Sequence, residues 1–88
     1  MKIKEQFMIK TIGTDKVLVS SEPSGLNYAR IMVLNEAAEF LLRETGHQSF
    51  TSTQWAELLV DRYGIDPEQA LQDAEKLISK LIKEKGLE

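Results

Sequence analysis

Ile31-Met32-Val33-Leu34-Asn35-Glu36-Ala37-Ala38-Glu39-Phe40-Leu41-Leu42 holds two hydrophobic periods that meet at Leu34. Before the junction, Tyr28 to Leu34 reads as a β-strand, the third along the chain. After it, Leu34, Ala37, Ala38, Leu41 and Leu42 fall at i, i+3, i+4, i+7 and i+8, one stripe of a helix. Asn35 is the natural N-cap of that helix and Gly46 its stop. A strand feeding directly into a helix sets what to look for on either side.

Upstream, Phe7-Met8-Ile9-Lys10-Thr11-Ile12 and Lys16-Val17-Leu18-Val19 are rich in β-branched and aromatic residues. Gly13-Thr14-Asp15 between them reads as a three-residue hairpin turn. Ser20-Ser21-Glu22-Pro23-Ser24-Gly25 then reads as a loop, because Pro removes a ladder donor and Gly loosens the backbone. Downstream, Thr51 and Gln54 have capping-box spacing, and Phe50 and Trp55 stand where a hydrophobic staple closes. This second helix ends at Gly64. The third opens with Asp66 as cap, Pro67 at the first helical position and Gln69 three residues after the cap, and closes near Gly86.

Three strands followed by three helices, without repeats, define an α+β class rather than a doubly wound parallel sheet. The short connection from Gly46 to Phe50 suits a helix-turn-helix corner, so the expected architecture is winged-helix-like, a three-stranded antiparallel sheet followed by three helices. Leu41, Trp55, Leu58, Leu59, Leu77 and Leu81 are the expected core. At 88 residues the chain is expected to form one domain, residues 1–88, with a single core and no deep enclosed active site.

Composition narrows the function. There is no cysteine, hence no disulfide, thiolate nucleophile or thiolate metal site, which suits a reducing cytoplasm. The longest aliphatic and Met run, Ile31-Met32-Val33-Leu34, is far short of the ~20 residues of a membrane helix, and Met1 to Gln6 does not lead into a signal-peptide core. His47 is the single histidine and has no companions at ligand spacing, so neither a metal nor any other cofactor is expected. The five glycines stand singly, and no serine has a paired base, so neither a phosphate loop nor a nucleophilic triad is written here.

A winged-helix order raises DNA binding as the alternative, a small transcriptional regulator. The recognition helix would be the second, and residues 51–63 sum to −1; residues 35–64 hold five acids and two bases. A helix without a basic or amide-rich face is a poor major-groove reader, and the net charge of −3 disfavours phosphate-driven association. What remains is surplus apolar surface. The third helix carries Ala70, Leu71, Ala74, Leu77, Ile78, Leu81 and Ile82 over about 140° of its wheel, wider than the ~100° one core contact demands. Leu71, Ile78 and Ile82 form the edge expected to lie beyond the core. The third strand is apolar on both faces. Strand edge and helix together suit a hydrophobic groove for an extended peptide added by β-augmentation.

The segment Leu34-Asn35-Glu36-Ala37-Ala38-Glu39-Phe40-Leu41, the Tyr63-Gly64-Ile65-Asp66 lead into a helix, then Ala70, Asp73, Leu77, Leu81 and a terminal Gly86-Leu87 resemble the coenzyme PQQ synthesis protein D family. The resemblance runs from the Phe7 strand to Leu87. It implies a non-catalytic cytoplasmic adaptor that binds the leader of a ribosomally made precursor peptide and presents it to a modifying enzyme, a radical S-adenosylmethionine enzyme or another. It implies no cofactor, nucleic acid or membrane as partner, and leaves a homodimer open. Carried over by position, the leader pairs with the backbone of Tyr28, Arg30, Ile31, Met32 and Val33 and packs on Leu71, Ile78 and Ile82 of the third helix. On that reading Ile78→Asp weakens peptide binding in a folded protein, and Lys76→Ala changes it little.

Overall fold

The structure, a computed structural model, describes residues 1–21 and 28–88, and for residues 21 and 28–31 the backbone alone. The element order is β1 (Phe7–Ile12), β2 (Asp15–Ser21), β3 (Tyr28–Leu34), α1 (Glu36–Thr45), α2 (Ser52–Tyr63) and α3 (Pro67–Lys83). The strands form one antiparallel sheet in the order β1-β2-β3. This is the expected α+β arrangement of a three-stranded sheet followed by three helices.

Two strand boundaries differ from the sequence reading. Ile12 pairs with Asp15, so the hairpin turn is the two residues Gly13-Thr14 rather than three. Gly13, at φ 62°, takes the first turn position, where a type II′ hairpin needs a positive φ. β2 continues through Ser20 and Ser21, which were expected to begin the loop. Ser20 is buried between Phe7 and Arg30 in the register, and two neighbouring strands outweigh serine's own weak strand preference. The rest of the expected loop, residues 22–25, lies outside the described residues, as do residues 26 and 27.

Strand alternation divides the sheet into two faces. Phe7, Leu18 and Leu34 face the helices and enter the main core, with Ile9 and Met32 half-buried beside them. On the opposite face the central Val17 and Val19 are buried, while Met8, Ile12 and Val33 at the edges are exposed. Both faces of the sheet are therefore apolar, as β3 alone suggests in the sequence.

The helix ends follow from side-chain chemistry. Ala38 N–H donates to Asn35 Oδ1 at 2.8 Å, satisfying an otherwise orphan donor at the start of α1. At α2, Gln54 N–H donates to Thr51 Oγ1 (3.1 Å) and Thr51 N–H to Gln54 Oε1 (2.8 Å), a complete capping box. The Phe50 and Trp55 rings stack across it, centroids 4.0 Å apart and planes 1° from parallel. At α3, Glu68 and Gln69 N–H both donate to Asp66 Oδ2, with Pro67 in the first turn.

Trp55, Phe50, Leu41, Leu59 and Leu81 are the largest fully buried side chains, and Leu77 joins them. Leu58 is a correction: it is half-buried at the margin of the core. The adjacent Leu59 takes the inward position, and one residue along a helix turns the side chain by about 100°. Trp55 Nε1–H donates to Thr45 Oγ1 (3.4 Å), whose own hydroxyl donates to Leu41 O (3.0 Å), so the indole nitrogen is satisfied inside the core.

The chain ends are stitched together, which the sequence pattern did not announce. Ile3 bridges Leu87; Lys4 N–H donates to Gly86 O and Glu88 N–H to Lys2 O, both at 2.9 Å. Phe50 N–H donates to Met1 O at 2.7 Å, and exposed His47 meets Ile3 O through Nδ1 at 3.1 Å. Since that oxygen only accepts, the proton of the contact sits on Nδ1. Ile3 is thereby buried as a member of the main core.

α3 stops at Lys83, short of Gly86, for a reason visible in the hydrogen bonds. Lys85 N–H reaches Ile82 O and Gly86 N–H reaches Leu81 O, the paired bonds of a Schellman motif. The left-handed position of that motif falls on Lys85 (φ 57°), and the neighbouring glycine is buried instead, its Cα side facing Phe7 and Leu81. A side chain at Lys85 carries a steric cost that glycine lacks. Lys85→Gly is accordingly expected to stabilise the protein by about 1 kcal/mol, seen as a higher urea midpoint with unchanged slope. A lowered midpoint would contradict the left-handed turn at this residue.

Candidate functional site

β3 pairs with β2 on one side, and no described strand pairs with its other edge. A free edge presents a row of backbone donors and acceptors able to pair with another chain. Beside this edge lies a groove of about 240 Å³. Met32, Val33 and Leu34 of β3 form one side, Ala37, Ala38 and Leu41 of α1 the floor, and Asp73, Lys76, Leu77 and Lys80 of α3 the opposite wall.

The wall follows from helical spacing, since residues 73, 76, 77 and 80 recur at i, i+3, i+4 and i+7 and share one face. Leu77 is buried and supplies its apolar part. Lys76 and Lys80 are exposed, and among the described residues neither has an ion-pair partner. Asp73, half-buried, accepts at Oδ1 from Gln69 Nε2 (2.8 Å) rather than pairing with Lys76. The groove therefore has an apolar floor, and polar and charged side chains around it: Asn35, Asp73 and the two lysines, in a chain whose net charge is −3.

The residues expected to bind peptide are distributed as follows. The backbone of Tyr28, Arg30, Ile31, Met32 and Val33 lies on the edge strand, and Met32 and Val33 line the groove. The side chains of Tyr28, Arg30 and Ile31 are outside the described residues. Leu71, Ile78 and Ile82 are not on the groove wall. Ile78 belongs to the main core at 9% exposure, because Ala70 and Ala74 let α3 approach α2 closely and draw the next row inside. Leu71 (37% exposed) lines a separate depression with Ala56, Val60 and Pro67, edged by Glu57 and Asp61. Ile82 is exposed at 60%.

An apolar stripe has two borders, and the sequence reading took the one that is itself apolar. The structure puts the other border, Asp73, Lys76 and Lys80, against the sheet edge. The signal available in the sequence was the absence of acids four residues from Lys76, where Gln72 and Lys80 stand instead. Lys76, expected to be a bystander, lines the groove.

The exposed side of α2 carries Glu57, Asp61 and Arg62, with Arg62 held over the Phe40 ring at 5.1 Å from its centroid. That face has the wrong sign for phosphate. Among the described residues no helix is long and apolar enough to cross a membrane, and no three metal-ligating side chains are grouped.

A small α+β domain whose sheet has an edge left unpaired by the described strands, with an apolar-floored groove beside it and a helical wall, has the makings of a peptide-binding module. The chain belongs to the Coenzyme PQQ synthesis protein D (PqqD) family, whose profile matches residues 17–87. Membership places it among peptide-binding adaptors of the kind that serve PQQ biosynthesis, a family of non-catalytic accessory proteins that work with a peptide-modifying enzyme. No curated protein and no solved structure matches the chain significantly.

Proposed function

We propose that the protein is a non-catalytic cytoplasmic adaptor, one recognition domain, that binds the leader of a ribosomally made precursor peptide as an added strand on β3. The bound leader lies in the groove between β3 and α3 and is held there for a modifying enzyme. The observation carrying this reading is the edge of β3 that no described strand pairs, lying beside a groove with an apolar floor and walled by α3. Backbone pairing supplies affinity with little regard to side chains, and the groove supplies selection. In place of Leu71, Ile78 and Ile82, the wall offered to the peptide is Lys76, Leu77 and Lys80. The test is residue-resolved amide exchange with a peptide selected from a random 12-residue display library: β3 amides that do not bond β2 become protected when the peptide binds.

A further inference from the structure

The two lysines of the groove wall repel one another. At i and i+4 they are like charges one turn apart, an arrangement that destabilises a helix. Attraction to the helix C-terminus accounts for Lys80 in the last turn, but that effect fades within one turn and does not reach Lys76. Of the acids before them, Glu75 is next to Lys76 in sequence and so points about 100° away around the helix, Asp73 one turn back accepts from Gln69 Nε2 at Oδ1, and no described residue pairs with either ammonium. Both nevertheless line the groove beside the free strand edge.

We infer that the peptide taken by this groove is acidic, carrying carboxylate side chains at alternate positions against Lys76 and Lys80 and an apolar side chain against Met32 and Leu77. This rests on the peptide-binding reading above and specifies its ligand. The spacing is apt: four residues of helix advance about 6 Å, and two residues of strand about 6.6 Å. A Glu-x-Glu or Asp-x-Glu pattern laid along α3 thus meets both ammonium groups with side chains from one face of the added strand. Asp73 at the other end of the wall repels a further acid, so the acidic part of the peptide lies toward the C-terminal half of α3.

The experiment is parallel selection from the random 12-residue library against the full-length protein and a Lys76→Glu/Lys80→Glu variant. Circular dichroism establishes that the variant is folded, and both substituted positions are exposed. Wild type is expected to enrich alternating acids beside apolar residues, and the variant alternating lysines. A selected acidic peptide should bind the variant at least about tenfold more weakly in low salt, and its affinity for wild type should fall as salt rises. A Lys76→Gln/Lys80→Gln variant should give an intermediate affinity. Apolar peptides enriched without charge preference, and bound equally by all three proteins, would overturn the acidic ligand while leaving peptide binding intact. Failure of wild type to enrich any peptide would overturn both.

Discussion

Trp55→Ala is expected to remove about 3–5 kcal/mol of stability, the range for truncating a large buried aromatic side chain. The indole is fully buried, stacks on Phe50, and donates to Thr45, which in turn donates to Leu41. Its loss opens a cavity where the α2 cap, the end of α1 and the Phe50 link to Met1 converge. A domain of this size has roughly 4–13 kcal/mol in total, so the variant should be partly or wholly unfolded at physiological temperature. The urea midpoint against wild type measures this. A fall of less than about 1 kcal/mol would mean that the centre of the core lies elsewhere.

Ile78→Asp is expected to cost about 4 kcal/mol or more, through loss of a buried aliphatic side chain and burial of a carboxyl without a partner. Ile78 is a core residue, so the substitution acts on folding and not on a groove surface. Ile82→Asp, four residues on and exposed, should stay within about 0.5 kcal/mol of wild type. Thermal denaturation of the pair reads the phase of α3 directly: equal melting temperatures would contradict the face assigned to Ile78.

Both predictions bear on what a sequence can and cannot display. Helix starts are local chemistry, and Asn35, Thr51 with Gln54, Phe50 with Trp55, and Asp66 with Pro67 each carry their instruction within six residues. Those features were legible. The burial of Ile3 was not, because it depends on Leu87 and Gly86 at the far end of the chain. The end of α3 misled by one residue, since glycine suggested itself for a left-handed position that Lys85 occupies. Which border of α3 lines the groove was not legible, for a geometric reason. The wheel of α3 shows a stripe with two borders, and which border faces β3 is decided by how α3 crosses the other elements, information that no helical period contains. Hydrophobicity favoured the border of Leu71 and Ile82; the sheet edge faces the one with Lys76 and Lys80.

The most direct measurement of strand addition is amide hydrogen exchange along β3, followed by NMR with a library-selected peptide at saturation. The protein alone should show alternating protection from residue 30 to 34, slow where an amide bonds β2 and fast where it faces the free edge. With peptide bound, the fast amides should slow by at least about tenfold, and Lys76, Leu77 and Lys80 should shift. The same peptide N-methylated at alternate positions should lose that protection in one phase of methylation and keep it in the other, because only one set of its N–H groups faces β3. Unchanged exchange along β3, with shifts confined to Leu71 and Val60 in the depression between α2 and α3, would contradict the account.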